Sequence, residues 1–183
     1  MIVKRIYEKK SICLYKLEYE NLIEVKSKED IDIDIDIDFI KENSCDDILS
    51  WRGKDIANEF KDMIGNKELG IYARYNKEVV GHAWCILGKY NNYPNNMFKI
   101  DSNQAMIHFC RVKKSFQGNN IYPYMLVSII KHIHKENNIN IFYIWTVKNN
   151  LSSKNGLVKV GFQIDKEYNC YKIMGRVLKK IKL

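Results

Sequence analysis

The sequence predicts a single mixed α/β domain. Three observations carry this: strand-like runs come first, a strand–helix–strand unit occupies the middle, and further strand-like runs close the chain. A length of 183 residues suits one domain with a full hydrophobic core. Hydrophobic residues at 46% and aromatics at 12% exclude a disordered chain.

The elements follow in order. Ser11 to Leu17 alternates loosely as a strand. Asp30 to Phe39 then alternates strictly between aspartate and apolar residues. Read as a strand, it has a carboxylate face and an isoleucine face. Read as repeat expansion, it is a low-complexity surface insertion over 28–40, and the second reading is preferred. A flat row of aspartates lacks the turn geometry of a calcium loop, so no metal site is indicated. Ser44 to Asn66 reads as helix, with Ser44 as N-cap, Asp46 and Asp47 in the first turn, and a break at Gly53. Leu69 to Tyr75 and Val79 to Leu87 flank Asn-Lys-Glu as a hairpin.

Residues 88–104 are polar, contain Pro94 and read as a loop. Ala105 to Val112 reads as the central strand. The helix after Gly118 carries Met125, Leu126, Ile129, Ile130 and Ile133 at three- and four-residue spacing. Asn140 to Val147 is a continuous apolar strand, expected to be buried on both faces. A short helix over Ser152 to Val160 and a closing strand pair from Phe162 complete the chain.

Composition narrows the function classes. No apolar run approaches the roughly 20 residues that span a bilayer, and Met-Ile-Val-Lys-Arg-Ile-Tyr-Glu-Lys-Lys is no secretory leader. Five scattered cysteines without a Cys-x-x-Cys pair point to reduced thiols and a cytoplasmic protein. The net charge of +8 is spread along the chain, densest over Arg176 to Lys182, which argues against nucleic acid and suits a polyanionic cofactor equally well.

Residues 106–126, M-I-H-F-C-R-V-K-K-S-F-Q-G-N-N-I-Y-P-Y-M-L, carry the chemistry. A strand feeding a polar turn at a helix N-terminus presents free backbone N–H groups at the positive end of the helix dipole, a site for a phosphate or pyrophosphate.

With I-Y-A-R-Y-N-K-E-V-V-G-H-A-W before it and N-L-S-S-K-N-G-L-V-K-V-G-F after it, this segment resembles the GNAT superfamily of N-acetyltransferases over about residues 69 to 175. The resemblance implies a mixed, mostly antiparallel sheet with helices on both faces and a splayed central strand pair. It implies acetyl-CoA as cofactor, with Cys110, Arg111 and Val112 along the acetyl–pantetheine arm and a bulge that splays their strand. Gln117, Gly118, Asn119, Asn120, Ile121 and Tyr122 would hold the pyrophosphate, Asn150, with Asn149 as the off-by-one alternative, would bind the pantetheine, and Ser153 would also contact the cofactor. The loop departs from the family at Asn120 and Tyr122; asparagine tolerates left-handed backbone, whereas Tyr122 crowds a place of close approach. Leu157 stands where many members carry a general-acid tyrosine, which leaves Tyr122 or Tyr143 as substitutes.

Acetyl transfer to an amine needs a base. His108 is the candidate, set by period-two alternation on the face of Cys110 and Val112; a histidine bonded within the sheet is the competing reading. Glu59, Glu68 and Asp101 are further candidates, and His82 and His134 are less well placed. A strand cysteine without a basic neighbour is inert, which argues against Cys110 as nucleophile. Trp51, Arg52 and Trp84 are candidates for the acceptor side, against core packing of both tryptophans and a solvated Arg52. The expected function is acetyl transfer to a primary amine of a small molecule such as an amino sugar. Protein or peptide amines, a non-catalytic binding module and a homodimer stay open.

Overall fold

A computed structural model describes residues 7–25, 34–90, 98–173 and 176–183. Its strands are β1 (Tyr7–Glu18), β2 (Asp36–Phe39), β3 (Leu69–Tyr75), β4 (Glu78–Leu87), β5 (Gln104–Val112), β6 (Ile141–Val147), β7 (Gln163–Ile173) and β8 (Arg176–Lys182). The helices are α1 (Leu49–Arg52), α2 (Lys54–Gly65), α3 (Ile121–Asn137) and α4 (Leu151–Val160). The strands form one sheet in the order β2-β3-β4-β5-β6-β1-β7-β8. Every neighbouring pair is antiparallel except β5 with β6. Among the described residues no helix is long and apolar enough to cross a membrane.

Alternation along the strands sorts side chains onto two faces. Ile71 and Ala73 of β3, with Val80, Ala83 and Cys85 of β4, pack with Met125, Ile129 and Ile133 of α3 and Leu157 and Val160 of α4. Tyr72 and Trp84, one residue out of phase, pack with Ala57, Phe60 and Met63 of α2. Helices therefore cover both faces, as the mixed sheet requires. On the α2 side the far half of the sheet is covered by Phe98 and Ile100.

Several local expectations are refined. The aspartate repeat ends in β2, an edge strand paired with β3 from Asp36↔Arg74 to Phe39↔Ile71, with Ile35 buried and Ile37 partly buried against the core. Residues 28–33, the rest of the suspected insertion, lie outside the described residues, as do 91–97 with Pro94. The hairpin turn is tighter than expected: Asn76 and Lys77 both have positive φ, the two-residue turn that matches strand twist, so Glu78 already belongs to β4. Ser44 is not an N-cap. It sits inside a 3₁₀ turn over Glu42–Ile48, its Oγ accepting from the Lys41 amide at 2.9 Å. The break at Gly53 separates α1 from α2. In β6 burial alternates, with Phe142, Ile144 and Thr146 buried and Tyr143 and Trp145 half-buried, because its second face meets a thinner cover than a helix.

The α2-side cluster is tight around two polar-capable rings. Trp84 is fully buried 4.8 Å from the Phe60 ring, and a Cβ on Gly70 would stand 2.8 Å from its indole. His82 is fully buried among Trp51, Phe60 and Phe109. Burial, then the nearby Arg52 charge, pushes its pKa down to about 3, so the ring is neutral.

Two outcomes follow from this packing. Gly70→Val should destabilise the fold by about 1–3 kcal/mol in urea unfolding, with an unchanged m-value, because the indole has no room to retreat. His82 titrates near 6.5 when unfolded and about 3 when folded. Its contribution is therefore intact above pH ~6.5 and is lost as pH falls toward ~3, the unfolded chain binding the extra proton. Unfolding at about pH 7 and about pH 4.5 should show His82→Gln losing about 2 kcal/mol less than the parent protein between the two.

Candidate functional site

The decisive local feature lies in β5. Phe109 has a φ of +49°, and the β4–β5 register jumps there, from Trp84↔His108 to His82↔Arg111. A bulge of this kind bends its strand and re-aims its side chains. On the other edge, β5 pairs with β6 only through Gln104, Ala105 and Met106. Beyond Met106 the two strands part, and a cleft of about 690 Å³ opens between them, well within the range of ligand sites.

The bulge corrects the expectation for His108. Cys110 and Val112 pack against the α3-side core and Phe109 against the α2 side. His108, opposite Trp84 in register, shares the α2 face with it, so unbroken alternation with Cys110 fails. Its Nε2 lies 2.7 Å from Oε2 of Glu68, a carboxylate with a side chain only 1% exposed. The ring nitrogen and that oxygen are in close contact without a linear hydrogen bond. Glu68 thus joins His108. Asp101 does not: its carboxylate is tied to Gln104 at the opposite end of β5.

At the other end of the cleft, residues 114–122 form the turn into α3. Gly118 has a φ of +93° and Asn120 a φ of +52°, so asparagine does supply the left-handed conformation. The amides of Gly118, Asn119, Ile121 and Tyr122 have no backbone partner among the described residues and lie at the N-terminus of a 17-residue helix. The Gln117 amide is engaged by the Lys114 carbonyl at 3.3 Å, and its side chain donates to the Val112 carbonyl at 3.2 Å. Its place in the cleft is therefore structural rather than that of an anion donor. The Asn119 side chain donates to the Phe116 carbonyl.

Tyr122 crosses from α3 to α4. Its hydroxyl lies 3.3 Å from Ser153 Oγ, and its ring occupies the space over Gly156, where a Cβ would stand 2.5 Å away. Burial raises its pKa, so the phenol keeps its proton. Leu157 is fully buried in the core and offers the cleft nothing. Tyr143 does not line the cleft and packs on the opposite side of β6. Asn150 caps α4, its Oδ1 accepting from the Ser153 amide at 3.2 Å. Burial pushes the Cys110 thiol up to about 12, which keeps it protonated and unsuited to nucleophilic attack.

Of the acceptor-side candidates, Trp84 is corrected outright: it is core, and strand parity puts it under α2 rather than in the cleft. Trp51 is half-buried beside His82, and Arg52 Nη1 donates to His82 Nε2 at 3.1 Å. His134 stacks on Tyr19 at 3.5 Å and is structural. Two cleft residues were missed in the sequence. Lys159 lines the cleft and donates to Asn120 Oδ1 at 2.7 Å. Gly156 makes room for Tyr122; a glycine in the middle of a short helix, costing about 1 kcal/mol against alanine, was its available signal.

An acetyltransferase of the GNAT family from Colwellia psychrerythraea is 14% identical, superposes with a TM-score of 0.63, and is matched over 94% of this chain and 57% of its own. A predicted acetyltransferase with acetyl-CoA from Clostridium acetobutylicum is 16% identical with a TM-score of 0.52, over 71% of this chain and 90% of its own. A glucosamine N-acetyltransferase region of a fungal multi-domain β-N-acetylglucosaminidase is 10% identical with a TM-score of 0.67, over 89% of this chain and 21% of that one. These likenesses speak for the fold. The chain spans 55–63% of the length of four of the structures it matches. No curated protein matches the sequence significantly. The model of the Acetyltransferase (GNAT) family matches residues 37–162, well over half of the chain, so the protein belongs to the GNAT acetyltransferase family.

Proposed function

We propose that this protein transfers an acetyl group from acetyl-CoA directly to the primary amine of a small molecule, an amino sugar or a related metabolite. One observation carries the reading. The parting of β5 from β6 joins a loop of unpartnered amides at one end of the cleft to the His108–Glu68 pair at the other. The small-molecule class draws support from the fungal glucosamine N-acetyltransferase region among the structural relatives.

The residues suit the cofactor. Amides of Gly118, Asn119, Ile121 and Tyr122, at the positive end of α3 and with Lys159 beside them, match a pyrophosphate. Beyond Met106, the edge of β5 facing β6 carries no ladder bonds and can pair with an amide-bearing arm, while Asn150 stands across the cleft. Acetyl-CoA supplies the activated acetyl thioester.

The protein's own groups then manage protons. An alkyl ammonium must lose a proton before it attacks. With Nε2 turned to Glu68, His108 keeps Nδ1 for that proton, received directly or through water, and the buried carboxylate stabilises the imidazolium that results. Tyr122, protonated and held by Ser153, is the hydroxyl available to the departing sulfur in place of a group at Leu157. A thiol with a pKa of about 8.5 leaves readily, so this donation is worth less than the base. The protonated Cys110 supports direct transfer without an acyl-enzyme.

Calorimetric titration with acetyl-CoA tests the first half of the reading. Micromolar binding with a raised melting temperature is expected; no binding at millimolar cofactor would leave a non-catalytic module. Gly118→Val should weaken that binding about tenfold or more while costing little stability, since a side chain there meets nothing within 4 Å and strains only the loop. His108→Ala should lower kcat/KM about a hundredfold with acetyl-CoA affinity unchanged. A near-normal rate would remove His108 from the mechanism.

A further inference from the structure

The cations near the cleft are partnered unequally. Arg74 is neutralised by Asp38 at 2.7 Å and Asp47 at 2.5 Å, Lys148 by Glu167 at 2.6 Å, and Lys113 by Glu78. Arg52 and Arg111 make no ion pair among the described residues. Arg52 is oriented instead by His82, a buried imidazole, through Nη1–Nε2 at 3.1 Å. Arg111 sits opposite His82 in the β4–β5 register and lines the cleft. Arg52 thus contacts the histidine directly, and Arg111, on the same face by register, acts on both through its charge. The Trp51 ring lies 5.7 Å from the Arg52 guanidinium and borders the same spot.

This arrangement is unfavourable without a ligand. Arg52 is half-buried and feels the charge of the exposed Arg111. Burial and the charge of Arg111 each disfavour the charged form of Arg52. A carboxylate in place of His82 would relieve this; a neutral imidazole fixes the direction of Arg52 and leaves its charge unanswered. Glu59 of α2 attracts Arg52 only from beyond ion-pair distance, and burial raises its own pKa.

We infer that Arg52 and Arg111 form an anion site for the acceptor: the amine that this protein acetylates carries a carboxylate, read by the two guanidiniums while its amino group faces His108 and Glu68. The inference rests on the proposed acetyl transfer and names its substrate class. Spacing fits, because His108 and Arg111 are three residues apart on β5, about 10 Å of extended strand less the contraction of the bulge. Location separates this site from the cofactor's. The amides of Gly118, Asn119, Ile121 and Tyr122 stand at the start of α3 and Asn150 and Ser153 at the start of α4, whereas Arg52, His82 and Glu68 do not line that cleft and Arg111, which does, stands between the two. Planar guanidiniums pair with a carboxylate in two-point fashion, which gives direction as well as charge.

The test uses ω-amino carboxylic acids of increasing chain length, each matched with its primary amide. Acetylation is assayed with acetyl-CoA, and binding of the same pairs is measured by calorimetry in the presence of coenzyme A, where no turnover is needed. The acids should be preferred about tenfold or more over their amides in kcat/KM and in affinity. Arg52→Gln and Arg111→Gln should erase the preference through the acceptor KM, Arg52→Lys should retain part of it, and in the Arg52 variants KM for acetyl-CoA should stay within about twofold. Equal use of acid and amide by the parent protein overturns the inference. So does a rise in the KM for acetyl-CoA in the Arg52 variants, which would assign that guanidinium to cofactor phosphates. If no amine is acetylated but the acids still bind tenfold tighter in an Arg52-dependent way, the anion site stands and the transfer reading fails. Variants with an unchanged melting temperature keep these outcomes separate from misfolding.

Discussion

The site depends on one backbone irregularity, the left-handed conformation of Phe109. A non-glycine residue at positive φ is held there only when its surroundings over-determine it, and the ring packing of Phe109 against Phe60 and His82 does so. Inserting one residue into β5 turns His108 and Arg111 to the α2 face while Cys110 and Val112 look toward α3. Phe109 lies three residues beyond Met106, where β5 leaves β6. The bulge thus re-aims the strand beyond the point where the cleft opens and divides its side chains between the two faces of the sheet.

Chemistry follows that division. The α3–α4 wall presents amide dipoles, a lysine and neutral hydroxyls, the groups that suit a long polyanion. The opposite face of the sheet holds concentrated charge: a buried carboxylate against an imidazole, and the Arg52 guanidinium held by a second, neutral imidazole. The two histidines share the α2 face yet answer different neighbours. His108 is paired with an acid, whereas His82 is sealed among aromatic rings and supports a cation.

Much of this could be read in the sequence, and the failures have a common cause. Hairpin, central strand, loop and long helix follow from periodicity and from Gly118, which are local signals. The family resemblance implied a bulge in β5, but its place at Phe109 is invisible because no composition marks a phenylalanine at positive φ, and the assumption of unbroken alternation then misassigned the face of His108. Trp84 failed for a related reason: its residue type suits a binding surface as well as a core, and only strand parity relative to α2 decides. Ser44 had the right chemistry for a cap, but the turn began three residues earlier. The partnership of Glu68 with His108 joins residues that no local rule connects.

The sheet order has a consequence for how the molecule comes into being. β2 to β5 pair with neighbours close in the chain, but β1 lies between β6 and β7, and its partners all fall beyond residue 140. Emerging early during synthesis, its apolar residues Cys13, Tyr15 and Leu17 have no sheet to join until the final third of the chain is made. The two halves then meet along three residue pairs between β5 and β6. Maturation therefore ends at the seam: the groove comes into existence only when the earliest strand has been captured by some of the latest.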